Sequence, residues 1–276
     1  MTVSTRRPKV QVGAVVRAAN LPGMFEHELA FANGLADRAR DIGMGLFLGD
    51  GLEVRHKADR TVVTQADTSI EAMVREQIAA AFPDDHVLGE EEGGGDRATG
   101  RVWIVDPIDA TANYARGIPI WATLIALQVD GVLMLGLVNA PAIGERYEAV
   151  RGGGARMNGR RIGVSDVDRL DEAQVFHTGL EAWPDGRRNP AVDLLSAVPR
   201  SRGFGDFWGH ALVARGAGEA MIEPELNVWD YAALQVVVEE AGGRVSQLDG
   251  SPTRHHGSVV SSNGLVHDAI LERFAG

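Results

Sequence analysis

The sequence contains no cysteine and no long hydrophobic run, and its acidic residues outnumber its basic ones. The absence of cysteine excludes thiol catalysis, cysteine-ligated zinc and iron–sulfur clusters, so any bound metal must be held by oxygen or imidazole ligands. No segment approaches the roughly 20 apolar residues that a membrane span needs, and the first residues lack the apolar core of a secretory signal. We therefore expect a cytoplasmic protein without a membrane partner.

The charge balance and the length limit the function classes further. With 27 Lys and Arg against 38 Asp and Glu, the formal net charge is -11, which argues against a nucleic-acid partner held by phosphate contacts. A chain of 276 residues can bury a large core and is near the size at which single cores split. We expect a flexible arm at residues 1–25, an N-terminal α+β domain at 26–150 with a metal site, and a C-terminal α/β domain at 151–276 with the elements that select the substrate.

Periodic apolar residues predict the elements of the first half. Small and apolar residues recur at helical spacing from residue 26 to about residue 48, and a second helical run from Ile70 stops at Pro83. The apolar run Val102–Val105 predicts a strand that ends at Asp106. Two longer apolar runs flank Asp130-Gly131, a pair that tolerates the positive φ angles of a tight hairpin turn.

The second half shows an alternation of strand and helix signals. An apolar run near Val175 predicts a strand, and residues 207–215 and 231–241 predict helices, the second of which stops at Gly242-Gly243. The first half therefore predicts helices followed by antiparallel strands, and the second half predicts a packed α/β unit.

Three acidic clusters lie at the edges of apolar elements: Glu90–Glu92, Asp106 with Asp109, and Asp230. Two carboxylates at the end of a buried strand repel each other and are costly to desolvate unless a cation neutralises them. A hard divalent metal does this best, and the segment after Asp109 can open a helix whose free N–H groups face an anion. Metals beside such amides indicate a phosphate site.

Each of these signals also has a structural interpretation. Asp-Pro is common in turns, and the glutamates at 90–92 beside three glycines fit a solvated loop. Asp230 also fits a helix cap, alone or in addition to a metal ligand. The three clusters together favour the metal site.

The motifs resemble those of the inositol monophosphatase family of magnesium-dependent, lithium-sensitive phosphomonoesterases. They are Gly89-Glu90-Glu91, then Trp103–Tyr114, then Trp229–Ala233 followed by Glu240–Gly243, in the family's order and spacing. Lys57-Ala58-Asp59 together with Val63–Asp67 is similar to the family's upstream element. The resemblance implies an α+β fold, the layered α/β/α/β/α sandwich of the inositol monophosphatase and fructose-1,6-bisphosphatase type. It also implies a homodimer.

The resemblance further implies the roles of individual residues. Glu90, Asp106 and the carbonyl of Ile108 would bind a first Mg²⁺, and Asp106, Asp109 and Asp230 a second, out of two or three ions in all. Thr111, paired with Asp67, would orient the water that attacks phosphorus, and the N–H groups of Ala110 and Thr111 would hold phosphate oxygens. Catalysis would thus fall to Thr111, Asp67 and Glu90, and the substrate would be a small-molecule phosphate monoester.

Ala110 departs from the family pattern, which usually has glycine there. A Cβ would crowd the phosphate or strain the turn if the position needs a positive φ, whereas with a negative φ alanine costs little. We expect an active phosphatase, with a catalytically weakened protein that only binds phosphorylated ligands as the alternative.

Substrate choice is expected in the C-terminal half. Asp206 and Glu223 match positions at which the family contacts the leaving group, and two acidic groups there would favour a substrate that carries an amine. The stretch around them looks most like the histidinol-phosphate phosphatase branch. Histidinol phosphate is thus the first expected substrate and an inositol, sugar or nucleoside monophosphate the second. A structural N-cap role for Asp206 before Phe207 stays open.

Overall fold

The computed structural model describes residues 25–49, 51–57, 61–94, 99–183 and 189–275. The predicted arm at residues 1–25 lies outside these ranges except for Phe25, which is buried. The described helices are α1 (Glu26–Leu46), α2 (Gln65–Ala81), α3 (Thr111–Ala115), α4 (Pro190–Ala197), α5 (Asp206–Ala214), α6 (Val228–Glu240) and α7 (His267–Phe274).

The described strands fall along the whole chain. They are β1 (Val54–His56), β2 (Val62–Thr64), β3 (His86–Gly89), β4 (Arg101–Asp109), β5 (Ala122–Val129), β6 (Val132–Ala140), β7 (Glu145–Val150), β8 (Gly154–Met157), β9 (Arg160–Arg161), β10 (Gln174–His177), β11 (Arg200–Arg202), β12 (Ala220–Asn227), β13 (Arg244–Ser246) and β14 (His256–Ser262).

Two large sheets and three helical layers make up the molecule. The seven-stranded sheet has the order β3-β4-β5-β6-β7-β8-β9, and the five-stranded sheet has the order β11-β10-β12-β14-β13. One apolar core joins α1 and α2 to one face of the larger sheet, a second packs α5 and α6 against its other face, and a third packs α4 and α7 against the outer face of the smaller sheet. This α/β/α/β/α sandwich confirms the expected α+β fold.

Helix α1 illustrates how the helical period builds the core. Its buried residues follow Ala32 by three, four, seven and eleven positions, which places them on one face of the helix. They are Ala32, Leu35, Ala36, Ala39 and Gly43. Gly43 packs so closely on the fully buried ring of Trp121 that a Cβ there would lie 2.8 Å from the ring. The glycine therefore sets the distance between α1 and the sheet.

The hairpin between β5 and β6 forms as the Asp130-Gly131 pair predicts. Both residues have positive φ, 48° at Asp130 and 79° at Gly131, and β5 and β6 pair antiparallel on either side. Two positive φ angles in succession match the twist of the flanking strands. The turn thus aligns the central strands of the larger sheet.

Strand β4 runs further than the apolar run predicts, because it continues through Asp106-Pro107 to Asp109. The pairing with β5 shifts register between Asp106 and Asp109: Asp106 lies opposite Leu124 and Asp109 opposite Ala122. An extra residue on β4 therefore forms a bulge, a position at which a strand accepts proline.

The larger sheet extends past residue 150, since β8 and β9 continue it. The division into units at residues 26–150 and 151–276 stays a prediction. Within the described ranges, none of the helices is both long and apolar enough to cross a membrane.

Candidate active site

The bulge in β4 brings the two aspartates of this strand onto one face of the sheet. In a regular strand, residues three apart point to opposite faces, whereas cross-strand partners two apart share a face. Since Leu124 and Ala122 are two apart on β5, their partners Asp106 and Asp109 point the same way. That face is covered by α5 and α6.

Glu90 reaches the same place from the neighbouring strand. Strand β3 pairs parallel with β4 and ends at Gly89, opposite Val105, so Glu90 follows directly beside Asp106. The loop that carries Glu90 is held by the fully buried Glu71 of α2, which accepts the N–H groups of Glu91 at 2.7 Å and Glu92 at 3.0 Å.

Arg75 completes this clasp, one helical turn after Glu71. Its guanidinium donates to the Glu71 carboxylate at 2.7 and 2.9 Å and to the carbonyl of Gly93. A Cβ on Gly89 would lie 2.2 Å from an oxygen of Glu71, so only glycine permits this approach. The loop geometry therefore rests on a buried carboxylate, which fixes where Glu90 points.

Asp230 comes from the first turn of α6. Its carboxylate accepts the N–H of Asn227 at 2.7 Å in a capping box, so it caps the helix from its third position and not from the N-cap, which is Asn227. One carboxylate oxygen from each of Asp106, Asp109 and Asp230 lies within 4.8 Å of the others. The structure thus brings Asp230 to Asp106 and Asp109, although it follows Asp106 by 124 residues in the sequence.

The electrostatics of this cluster are unfavourable without a cation. Burial, with repulsion from Glu90 and Asp109, raises the pKa of Asp106 well above its usual value. Burial and the neighbouring Asp206 and Asp230 raise the pKa of Asp109 in the same way. Burial raises the pKa of Asp230 to about 7, although the bond from the Asn227 N–H opposes the change.

The donor set fits a hard divalent metal ion. All ligand atoms available in the cluster are carboxylate or carbonyl oxygens, which suit Mg²⁺, Ca²⁺ or Mn²⁺. One oxygen of Asp106, Oδ1, is buried without a hydrogen-bond partner among the described residues. Buried polar atoms are rarely left unpaired, so this oxygen points to a cation.

Lys57 lies beside Glu90 and Glu91. Its ammonium nitrogen is 2.7 Å from Glu90 Oε1 and 2.8 Å from Glu91 Oε1. Burial alone would lower the pKa of Lys57, but the two carboxylates raise it. The lysine therefore partly neutralises the loop that follows β3.

Thr111 and Asp67 meet at the bottom of the site. The Thr111 hydroxyl oxygen is 3.0 Å from Asp67 Oδ1 and 2.9 Å from the carbonyl oxygen of Ile108. The other oxygen of Asp67 accepts the N–H and the hydroxyl of Thr64 at the start of α2. Burial raises the pKa of Asp67 to about 6, against the effect of these bonds.

Ala110 adopts the left-handed conformation, with φ 67° and ψ 45°. Of the two outcomes open from the sequence, this is the strained one, because a Cβ disfavours the left-handed region. The conformation turns the chain from β4 into α3, so the turn forms despite the alanine.

Asp206 and Glu223 approach the three aspartates from α5 and from β12 of the smaller sheet. Gly205 precedes α5 and Asp206 is its first residue, with a φ of 50°, so the N-cap interpretation of Asp206 is wrong. Burial and the charge of Glu223 raise the pKa of Asp206 to about 7. The N–H of Asp206 donates to Glu223 Oε1 at 3.3 Å, and the N–H of Phe207 donates to Asp109 at 2.8 Å.

The second of these bonds joins the start of α5 to the aspartate cluster. In both bonds a carboxylate from elsewhere in the chain accepts a free N–H group at the start of α5. A cavity of about 420 Å³ lies beside the aspartate cluster. It is lined by the predicted residues Glu90, Asp106, Ile108, Asp109, Ala110, Thr111, Asp206, Glu223 and Asp230, while Asp67 lies behind Thr111.

Sequence reasoning missed two buried groups that support this cavity. Glu71 lies on the buried face of α2. A glutamate at a position where the helical period predicts an apolar residue is the one sequence signal that could have indicated its role. His210 of α5, 1% exposed, contacts Glu223 and Ser261, and nothing local in the sequence indicates either contact.

Comparisons with known proteins show what this chain is similar to. Residues 25–275 match the model of the inositol monophosphatase family. The chain is 45% identical over 256 residues to a histidinol-phosphatase of Mycobacterium tuberculosis, and the alignment covers 91% of this chain and 98% of that protein. It is 43% identical to a histidinol-phosphatase of Streptomyces coelicolor, over 88% of this chain and 95% of that protein.

More distant relatives share the fold. An inositol-1-monophosphatase of Mesorhizobium japonicum is 35% identical, over 80% of this chain and 85% of that protein. The solved structure of an inositol monophosphatase from Thermotoga maritima superposes with a TM-score of 0.81 at 29% identity, over 90% of this chain and 96% of that one.

Proposed function

Since this chain belongs to the inositol monophosphatase family of metal-dependent phosphoric monoester hydrolases, we propose that it hydrolyses histidinol phosphate to histidinol and phosphate. The observation that carries the choice of substrate is the pair Asp206 and Glu223, which lines the same cavity as the aspartate cluster. The names and high identities of two relatives support the same substrate.

The metal proposed for the cluster is Mg²⁺, in two or three ions, because the donors are all oxygen. Glu90, Asp106 and the Ile108 carbonyl would hold one ion, and Asp106, Asp109 and Asp230 another. When bound, such ions lower the pKa of a water molecule and offset the charge of the phosphate and of the leaving oxygen.

The protein groups around the cluster orient the reactants. The Thr111 hydroxyl, 3.0 Å from Asp67, can accept a hydrogen bond from the attacking water while it donates to the carboxylate. Asp67 holds this hydroxyl, and the N–H groups of Ala110 and Thr111 at the start of α3 bind phosphate oxygens. Glu90, which lines the same cavity, would take the proton of the water.

The leaving group selects the substrate. Histidinol carries an ammonium group on the carbon next to the ester CH₂, so it can approach Asp206 and Glu223 while the phosphate lies at the aspartate cluster. The ammonium group would also favour the ionised form of Asp206, whose pKa is otherwise about 7. The leaving group of an inositol phosphate carries only hydroxyl groups. Their hydrogen bonds to the two carboxylates are weaker than those of an ammonium group.

Phosphate release from a panel of monoesters, with Mg²⁺ and with EDTA, tests the proposal. Histidinol phosphate should be hydrolysed fastest and only with the metal. Asp106→Asn should abolish turnover with the fold retained, because Asp106 is shared by both proposed ions. Activity of this variant near that of the wild type would contradict the metal assignment, and a preference for inositol phosphate would contradict the substrate.

The assembly and location are proposals of the same kind. We propose a cytoplasmic homodimer that acts on a small molecule and not on nucleic acid, as the family resemblance and the acidic charge support. Sedimentation of the purified protein tests the dimer.

A further inference from the structure

Three polar side chains are buried together between α5 and the smaller sheet. They are His210, Glu223 and Ser261, and their exposed fractions are 1%, 3% and 2%. Most of this interface is apolar, with Leu212, Val213 and Met221 around it. Polar groups at such depth are costly unless they are hydrogen-bonded, so their arrangement reflects a specific network.

The sheet register places the two partners of the imidazole on one face. Met221 and Glu223 share a face of β12, and Ser261 of β14 lies directly opposite Met221. His210 of α5 bridges them: its Nδ1 is 2.7 Å from the Ser261 hydroxyl oxygen and its Nε2 is 3.3 Å from Glu223 Oε2. Asp206 lies one helical turn before His210 on the same side of α5.

Donor and acceptor counting fixes the protons in this network. An ionised carboxylate only accepts hydrogen bonds, so Nε2 carries the proton that reaches Glu223. With a neutral imidazole, Nδ1 is then the acceptor, and the Ser261 hydroxyl donates to it. The Glu223 carboxylate therefore selects the tautomer, and the Ser261 hydroxyl holds the other ring nitrogen and so fixes the orientation of the ring.

We propose that His210, oriented by Ser261, is a positioning residue that sets the selectivity for a substrate with a cationic leaving group. It holds Glu223 Oε2, so that Oε1, which accepts the Asp206 N–H, is presented to the cavity together with the Asp206 carboxylate. His210 acts through Glu223, since it does not line the cavity itself. This inference rests on the proposed function.

The role predicts a specific kinetic signature. Loss of the imidazole contact frees the Glu223 carboxylate to rotate, which weakens the hold on the ammonium group in the ground state and the transition state alike. Such a loss raises KM and leaves kcat nearly unchanged. A neutral ester lacks the ammonium group, so its hydrolysis should not respond.

Two amide substitutions at position 210 separate the contacts. The amide of His210→Gln reaches about as far as Nε2 and can still donate to Glu223, whereas that of His210→Asn reaches only the place of Nδ1. We expect His210→Asn to raise KM for histidinol phosphate about tenfold, while His210→Gln stays within about threefold of the wild type, as loss and retention of one charge-assisted bond predict. With glycerol phosphate both variants should match the wild type.

Ser261→Ala provides a second, milder test if His210→Asn fails to fold. It leaves Nδ1 without its hydrogen-bond partner, so the imidazole ring is held less firmly, and KM for histidinol phosphate should rise about two- to fivefold with glycerol phosphate unchanged. The melting temperature of each variant checks the fold, and its increase on addition of Mg²⁺ checks the metal site.

The outcomes distinguish this inference from the proposed function. A fall in kcat on both substrates alike, or equal effects of His210→Asn and His210→Gln, would overturn the positioning role and leave the proposed substrate standing. If wild-type protein itself shows no preference for the amino ester, the proposed substrate is wrong, and the inference about His210 is wrong with it.

Discussion

The hydroxyl oxygen of Thr111 lies 3.0 Å from Asp67 Oδ1, although the two residues come from separate helices and lie 44 positions apart. Asp67 is fixed on its other side by Thr64 at the start of α2. The contact therefore connects the end of β4, where the aspartates lie, to a rigid helix start.

Thr111→Val tests this contact. The isosteric valine cannot orient water, so we expect kcat to fall about ten- to a hundredfold, the loss of about 1.4 to 2.7 kcal/mol of barrier, with little change in the affinity for Mg²⁺. Steady-state kinetics with a Mg²⁺ titration measures both. Asp67→Asn should lower kcat too, and the double variant should be less than additive, because the two residues act as one unit. Full additivity would contradict a shared role.

The clasp formed by Glu71 predicts a different defect. Glu71→Gln leaves a weaker acceptor for two N–H groups and a poorer partner for Arg75, so the loop that carries Glu90 should loosen. We expect the Mg²⁺ concentration for half-maximal activity to rise about tenfold, with kcat at saturating Mg²⁺ near that of the wild type. Glu76→Gln, on the exposed side of the same helix, is the matched control. A lower kcat with an unchanged Mg²⁺ dependence would contradict the role of Glu71 in positioning Glu90 for the metal.

Ala110→Gly addresses the departure from the family pattern. Because Ala110 has a φ of 67°, glycine removes a steric cost of roughly 1 kcal/mol, partly offset by its greater freedom in the unfolded chain. We expect a melting temperature that is equal or up to a few degrees higher, and activity that is equal or higher. A tenfold fall in activity would indicate a site rebuilt around the alanine for another ligand.

The raised carboxyl pKa values predict how stability depends on pH. A carboxyl whose pKa is higher in the folded than in the unfolded state binds more protons when folded. Stability therefore falls as the pH rises from the unfolded-state pKa through the folded-state pKa. With the pKa of Asp206 and Asp230 at about 7 and those of Asp106 and Asp109 also raised, the protein in EDTA should become less stable between about pH 5 and about pH 8.

Mg²⁺ should reverse this trend. It binds ionised carboxylates, so its stabilising effect should be about 2.7 kcal/mol at pH 8, at a concentration 100 times its Kd at that pH, and smaller at pH 5. Thermal unfolding at both pH values, with Mg²⁺ and with EDTA, measures the effect. Asp106→Asn should lose most of it. An equal Mg²⁺ effect at both pH values would contradict binding to these groups.

Local patterns in the sequence predicted several of the helices, strands and turns. The helical period from residue 26, the Asp130-Gly131 turn and the helix that ends before Gly242 all depend on neighbours along the chain, and the structure contains all three. The motifs placed the acidic residues together because a known family supplied the spacing.

Long-range geometry was beyond local patterns. The bulge after Asp106, which turns Asp106 and Asp109 to one face, depends on pairing with β5, and the apolar run alone predicted that the strand would stop. The bond from the Phe207 N–H to Asp109 spans 98 positions. The contacts of His210 likewise depend on the packing of α5 against β12 and β14, which no local period encodes.

The most direct test of the account compares histidinol phosphate with its analogue that lacks the amine, in saturating Mg²⁺. Wild-type protein should prefer the amino ester about ten- to a hundredfold in kcat/KM, because each charge-assisted contact contributes about 1.5 to 3 kcal/mol. Asp206→Asn should lose most of this preference, and asparagine tolerates the positive φ at this position as well as aspartate does. Equal kcat/KM for the two esters in the wild type would contradict the account.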